Sequence, residues 1–297
     1  MKRTNSTILQ AAIRIVKSTK AKALFVSLDS LDEIPEEEPP KGYRLIYVTR
    51  RESDEVDHLV SEKLSSPAVI HLPRVDMTRM GQVKMGVVLA LSNRLIGMGD
   101  RIVFVTGLAG REVLDSILCV DTAKESEILT TKGLDAIAES VQPEVFEETL
   151  SIALELASKG REGKPIGTIF VLGDEEKVMQ LSKQMIINPF KGYTDEERNI
   201  LSPGLKETLR EFSALDGAFI ISRDGLVLTT GRYLGAASDE ATIPRGLGSR
   251  HIAAAGITAM TNAIAIVISE STGDVRIFKN GKILMEIEKP SKAPQTR

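Results

Sequence analysis

The 297-residue chain has one cysteine, Cys119, so no intrachain disulfide can form and nothing in it calls for an oxidising compartment. Its setting in Ile117-Leu118-Cys119-Val120 predicts an inert, buried thiol, and a reducing cytoplasm fits. Long apolar runs are missing as well. The longest, around Ala263 to Ile268, falls far short of the ~20 residues of a bilayer span, and the N-terminus has no signal-peptide hydrophobic region, so no membrane segment is expected. Nor is there a large excess of charge of one sign. Against 38 basic side chains stand 41 acidic ones, a net charge of -3, which argues against a protein coated in nucleic acid and leaves any anionic partner to a local basic site.

What is present, 42% hydrophobic and 27% charged residues, is the balance of a globular protein, and the length suits two domains that each bury a core. Ile8, Leu9, Ala12, Ile13 and Val16 recur at helical spacing, and Ala23-Leu24-Phe25-Val26 reads as a buried strand. The alternation continues through strand-like Tyr43 to Val48, helical Asp54 to Leu64, strand-like Ala68 to His71, helical Met80 to Leu95 and strand-like Arg101 to Val105. That order predicts an α/β sheet covered on both faces. Between the first two strands, Leu31 to Lys41 carries Glu36-Glu37-Glu38-Pro39-Pro40, like charges and prolines that predict an exposed loop.

A polar stretch, Thr122 to Glu127, precedes a long helical pattern from Ile128 through Lys159, interrupted at Pro143. The expected division is therefore residues 1–124, residues 125–290 and a flexible tail over 291–297. Beyond Lys159, Ile166 to Leu172 reads as a strand, Glu175 to Met185 as a helix, Asn188 to Tyr193 as a loop, and Pro203 to Ala214 as a helix with Leu205, Leu209 and Phe212 on one face. From Ala218 the pattern turns β-rich: Ala218 to Ser222, Leu226 to Thr229, Ala263 to Ser269, Val275 to Phe278 and Ile283 to Ile287. Asn280-Gly281 between the last two is a hairpin signal, because both residues tolerate positive φ.

Several segments carry chemistry-bearing side chains. Asp216-Gly217-Ala218 puts a carboxylate at a strand entrance beside residues small enough for a ligand to approach the backbone; a capping or turn-forming aspartate is the plainer explanation. Gly246-Leu247-Gly248-Ser249-Arg250-His251 runs into the helix-compatible Ile252-Ala253-Ala254-Ala255-Gly256. Glycines, a hydroxyl, a guanidinium and an imidazole before a helix suit phosphate, while the alternative is an exposed loop with Ser249 as N-cap. Ser269-Glu270-Ser271-Thr272-Gly273 is either a polar hairpin turn or the source of a carboxylate for a divalent cation. Tyr233-Leu234 either sandwiches a base or packs into the core.

As an ordered set, these segments resemble the diadenylate cyclase family, the domain of DisA-type and CdaA-type enzymes. The match runs from roughly Gly167 to Leu284 and includes the DGA signature at Asp216 to Ala218, Tyr233-Leu234, the G-[TS]-R-H element at Gly248 to His251, the SE-x-TG turn at Ser269 to Gly273 and the Asn280-Gly281 hairpin. The resemblance implies a mixed β-sheet flanked by helices that binds one ATP. Two such domains meet face to face, and each ribose 3′-hydroxyl attacks the α-phosphate of the opposite ATP to give cyclic di-AMP and two pyrophosphates. Carried onto this chain, it implies that Asp216 is the essential carboxylate, assisting a divalent ion or the 3′-hydroxyl, and that Gly217 permits close approach. Gly248, Ser249, Arg250 and His251 would hold the triphosphate, Arg250 and His251 serving the reaction as well. Tyr233 would stack on adenine, the Leu234 backbone would read its edge, and Glu270 would support either the base or, with Asp216, the metal, Mg2+ or Mn2+.

Two positions depart from the family pattern: Ile252 stands where an arginine is frequent and Ser271 where a second glutamate is frequent, with Arg245 or Lys191 as candidate replacements for the lost cation. The N-terminal half resembles the C-terminal α/β domain of pyruvate kinase, in Ala21 to Val26, Tyr43 to Arg50 and Gly97 to Gly107. The stretch matching that domain's effector turn, Ser27 to Pro40, is acidic, so sugar phosphate binding is not expected; Gly107 to Gly110 lacks the lysine of a Walker loop and only turns the chain. A role in regulation or assembly remains for this half, and the pairing of the two resembles the archaeal diadenylate cyclases. The expectation is thus a cytoplasmic, ATP-consuming nucleotidyltransferase that self-associates at least transiently and binds neither nucleic acid nor membrane. Its rivals are a catalytically weak sensor of ATP or cyclic di-AMP, and a pyruvate-kinase-like scaffold with a passenger C-terminal half.

Overall fold

Three apolar stripes set by the sequence periodicity, Ala12 with Val16, Leu24 with Val26, and Val103 with Val105, meet in one buried cluster and so fix how the first helix lies on its sheet. The computed structural model describes residues 2–31, 42–51, 56, 68–107, 113–124, 135–160, 162, 164–235 and 246–290. The chain separates into two compact units, Met1–Arg74 with Arg79–Lys132, and Val75–Thr78 with Gly133–Arg297.

In the first unit, α1 (Lys2–Thr19) leads into β1 (Ala23–Ser27), followed by β2 (Arg44–Thr49), β3 (Ala68–His71), α2 (Arg79–Ser92), β4 (Arg101–Gly107) and β5 (Leu114–Asp121). The sheet order is β3-β2-β1-β4-β5. The first four strands are parallel and β5 returns antiparallel to β4. Every residue of β1 is buried, as a strand covered on both faces requires, and Phe25 stacks on Phe104 with centroids 5.2 Å apart. The helix expected to reach Leu95 stops at Ser92, where Arg94 takes a positive φ of 55° and Leu95 N–H returns to the Ala90 carbonyl. The expected helix Asp54 to Leu64, apart from buried Val56, lies outside the described residues, as do most of Leu31 to Lys41 and Gly107 to Gly110.

Cys119 corrects the reading of a buried thiol: it is exposed, because its apolar segment is the edge strand β5, and an edge strand shows one flank to solvent. The native protein is expected to react with a disulfide reagent such as DTNB at one equivalent per chain without denaturant. A thiol that reacts only after unfolding would contradict the exposed placement.

The second unit contains α3 (Asp135–Ser140), α4 (Pro143–Lys159), β6 (Ile169–Leu172), α5 (Glu175–Gln180), β7 (Ser182–Gln184), α6 (Leu205–Phe212), β8 (Ala218–Ile221), β9 (Val227–Leu234), α7 (Ser249–Met260), β10 (Ile264–Ile268), β11 (Val275–Lys279) and β12 (Lys282–Ile287). Its sheet, β12-β11-β10-β6-β8-β9-β7, is mixed, with β6 and β8 parallel and the other pairs antiparallel. The central strands β6, β8 and β10 are buried throughout. One face of them, Val171, Ile220, Ala265 and Val267, packs with Ala254, Ala255 and Ile257 of α7. On the alternate positions Phe170 stacks on Phe219 at 5.0 Å. Pro143 takes the first turn of α4, where its missing N–H costs nothing. The fold is therefore α/β in both units.

The helix expected over Glu175 to Met185 ends at Gln180, and Ser182–Gln184 is instead an edge strand on β9. Buried Arg232 on β9 explains the switch, since it donates to Ser182 Oγ at 2.9 Å and to the Met179 and Ser182 carbonyls at 2.8 and 2.7 Å. Asn280 and Gly281 have φ of 51° and 75°, the hairpin geometry their dipeptide predicts. Among the described residues no helix is long and apolar enough to cross a membrane.

Candidate active site

Parallel pairing of β6 with β8 and antiparallel pairing of β6 with β10 bring the entrances of β6 and β8 and the exit of β10 to one end of the sheet. Gly167, Asp216 and Glu270 occupy that end. Asp216 precedes β8 with its side chain 91% exposed, so no burial or packing explains a carboxylate there. Gly217 follows with φ of 106°, and a Cβ on it would lie 2.7 Å from the Arg232 amide nitrogen, so only glycine lets β9 press this close.

Helix α7 brings in the third component. Its N-cap is Gly248, not Ser249, which makes Ser249, Arg250 and His251 the first three residues of the helix; the N-cap serine of the alternative reading is not what forms. The opening N–H groups of such a helix, here those ahead of His251, whose own N–H reaches the Gly248 carbonyl at 3.0 Å, lie at the positive end of its dipole. From the second position Arg250 donates Nη1–H to Glu270 Oε2 at 2.8 Å and Nη2–H toward Asp216 Oδ1 at 3.4 Å. One guanidinium thus spans the two carboxylates. Gly167, which sequence reasoning did not single out, makes room for it: a Cβ there would sit 2.8 Å from both Arg250 Nη1 and Glu270 Cβ. A glycine at a strand entrance after Pro165-Ile166 was the only available signal. A cavity of about 210 Å³ adjoins Arg250 and Glu270, lined also by Lys164, Gly167 and Ser213 among others.

Arg232 pairs with Ala218, so Tyr233 and Leu234, the last residues of β9, lie at the Asp216 end of the sheet, paired there with Lys183 and Ser182 of β7. Their environments differ as alternation requires: Tyr233 is 61% exposed and Leu234 is buried. The reading in which both pack into the core holds for Leu234 alone. Ser249 and Ser271 are exposed, the latter in the turn whose Ser269 Oγ lies 3.3 Å from Ser271 Oγ. Ile252 is half-buried on α7, Lys191 is exposed in its loop, and Arg245 lies outside the described residues.

His251 is placed differently from its neighbours. It is buried, its ring packs near Phe278, and its Nε2 lies 3.1 Å from Arg276 Nη1. Burial first, then the charges of Arg276 and Arg250, push its pKa down to about 4. A depressed histidine pKa means that the folded state binds the proton less well than the unfolded chain. Its contribution to stability is therefore complete above pH ~6.5 and is lost as pH falls toward 4. The urea midpoint is expected to drop between pH 6.5 and 4 more steeply for the native chain than for His251→Gln; equal slopes would show that His251 is not the titrating group.

For a divalent ion, the described residues hold no group of three or more His, Cys, Asp or Glu able to bind one. Asp216 and Glu270 are nonetheless hard oxygen donors brought to one cation. A pair of carboxylates fits Mg2+ or Mn2+ when water and polyphosphate oxygens complete the shell.

Residues 155–283 match the family described as DisA bacterial checkpoint controller nucleotide-binding, and residues 4–130 match a probable sensor domain, DacZ_P. A diadenylate cyclase of Methanocaldococcus jannaschii is 40% identical over 209 residues, 69% of this chain and 66% of that protein. A diadenylate cyclase of Haloferax volcanii is 37% identical over 220 residues, 74% of this chain and 79% of that protein. The chain thus spans slightly less than two thirds of the first relative and more of the second. Among solved structures, DacA from Staphylococcus aureus is 26% identical with a TM-score of 0.35, covering 47% of this chain and 84% of that one.

Proposed function

We propose, since the chain belongs to the diadenylate cyclase family, that it condenses two ATP molecules into cyclic di-AMP and releases two pyrophosphates. In each half-reaction a ribose 3′-oxygen bonds to the α-phosphorus of the other ATP while the bond from that phosphorus to the β-bridging oxygen breaks. The hydroxyl proton passes to a carboxylate or to water, and pyrophosphate carries away the electron pair. Such chemistry asks chiefly for positioning and charge neutralisation.

The observation that supports this reading best is the Arg250 guanidinium spanning Asp216 and Glu270, three chemistry-bearing residues from three elements at one sheet end. Asp216 would receive the 3′-hydroxyl proton or, with Glu270, hold Mg2+ or Mn2+, which when bound supplies neutralising charge to the polyphosphate. Gly248, Ser249 and the opening N–H groups of α7 would cradle the phosphates beside Arg250, with His251 behind them. Tyr233, open to solvent at the end of β9, would stack on adenine while the Leu234 backbone reads its edge. Gly217 keeps β9 close enough to set that spacing.

Two ATP-loaded sites must face each other for the reaction, so the active form is a homo-oligomer at least in passing. We assign residues 125–290 to the cyclase and residues 1–124 to regulation or assembly.

The test is mass-spectrometric detection of cyclic di-AMP after incubation of purified protein with ATP and Mg2+ or Mn2+, beside Asp216→Asn. ATP bound without product under either metal would favour the sensor reading, consistent with the missing cation at Ile252. Equal behaviour of the two proteins would favour the passenger reading.

A further inference from the structure

We propose that Arg276 is a positioning residue, which holds the His251 imidazole neutral with its proton on Nδ1 and so makes that N–H an uncharged donor to an oxygen of the bound triphosphate. The inference rests on the nucleotide reading above and extends it to a residue on β11.

A guanidinium has five N–H donors and no acceptor, so the 3.1 Å contact between Arg276 Nη1 and His251 Nε2 requires a lone pair on Nε2. The single proton of a neutral ring is then on Nδ1. A protonated ring would put two donors face to face and add like charge, which is the second cause, after burial, of the depressed His251 pKa.

Arg276 is well placed to impose this choice. Only 9% of it is exposed, and its Nη2 is held by Glu286 Oε1 and, at 3.4 Å, by Asp274 Oδ2. Two carboxylates anchor and neutralise it, so it serves the imidazole and not a phosphate. The charged groups around His251 are accordingly Arg250 on its own helix, Arg276 on β11, Asp274 in the preceding turn and, through Arg276, Glu286 on β12.

The other end of the ring supplies the second observation. Nδ1 is buried, in a residue only 5% exposed, and has no hydrogen-bond partner among the described residues. A buried N–H without an acceptor is costly, and native interiors rarely keep one. His251 sits in the same first turn as Ser249 and Arg250, where an anionic oxygen is expected. A neutral donor at that place adds a hydrogen bond to phosphate without adding charge, and it stays available across the physiological pH range because the ring does not titrate there.

The experiment uses the full chain labelled with 15N-histidine, of which it has three residues, with the His251 signals identified by their loss in His251→Gln. Long-range 1H–15N spectra are expected to show His251 protonated at Nδ1 and bare at Nε2, unchanged from pH 8 to 5.5. Addition of α,β-methylene ATP with Mg2+ is expected to shift the Nδ1 resonance. Arg276→Met should move the proton to Nε2, raise KM for ATP about tenfold with kcat within about twofold, and introduce an inflection between pH 5.5 and 7. Arg276→Lys, which can also only donate, should restore the tautomer and most of KM.

An Nε2-protonated His251 in the unsubstituted protein overturns the proposal, and that measurement stands even if Arg276→Met does not fold. Binding of the analogue with an unmoved Nδ1 resonance overturns this proposal alone. Failure of the analogue to bind by calorimetry overturns the nucleotide reading and this proposal with it.

Discussion

Asp216→Asn is expected to lower cyclic di-AMP formation by on the order of 10²- to 10³-fold while leaving the fold intact. The substitution is nearly isosteric, so what it removes is charge. An amide neither accepts the 3′-hydroxyl proton nor binds a divalent ion with the strength of a carboxylate, and it abandons Arg250 to Glu270 alone. Stability is expected to change by no more than about 0.5 kcal/mol, because the side chain is 91% exposed and an exposed ion pair contributes little. Paired measurements of product by mass spectrometry, ATP binding by calorimetry and thermal midpoint separate the two effects. A variant that still binds ATP, melts normally and makes no product matches the expectation. A variant as active as the parent would remove Asp216 from the site.

Elements set by short-range rules were legible before the structure. The unbroken apolar runs Ala23 to Val26 and Ile264 to Ile268, the proline break at Pro143 and the Asn280-Gly281 turn all depend on residues within a few positions, so pattern reading reached them. Strand order was not legible. No local signal states that β6 lies between β10 and β8, since pairing is decided by which buried faces meet once the chain has folded. The two misread segments fail for that reason. Ser182 to Gln184 leaves helical periodicity because Arg232, some 50 residues away, needs its hydroxyl and carbonyl. Cys119 looks buried in an apolar run that turns out to be a sheet edge.

The site divides in the same way. Asp216, Arg250 and Glu270 could each be named from local motifs, but each motif also had an ordinary structural explanation. The reading gains weight only when side chains 34 and 20 residues apart in sequence meet at one guanidinium. Gly167 and Arg276 escaped attention because their importance is relational: one is a space that Arg250 fills, the other a cation inside a hairpin whose partner is a histidine 25 residues earlier. A charged residue at the buried face of an apolar strand is the signal that Arg276 offered, since burial of an unpaired guanidinium would be prohibitive.

Arg250→Ala is the second large effect. Arg250 is two-thirds buried and pairs with two carboxylates, yet both partners are mostly exposed, so its loss is expected to change stability little. On the proposed reading its place is in the reaction: a charge-assisted contact to phosphate is worth roughly 1.5–3 kcal/mol, so kcat/KM for ATP should fall roughly 10- to 150-fold. Arg250→Lys should recover only part of this, because a point charge cannot reach Glu270 and Asp216 from two nitrogens as the planar fork does. A double-mutant cycle with Glu270→Gln discriminates between two accounts of the arginine. If Arg250 acts by orienting Glu270, the double variant is no worse than the weaker single one; if it acts on phosphate directly, the losses add. In the proposed site Arg250 bridges the two carboxylates and would share its charge with the triphosphate once it binds. On that account the Arg250→Ala penalty should be larger in KM than in kcat, and an effect confined to kcat would place the guanidinium at the transition state alone.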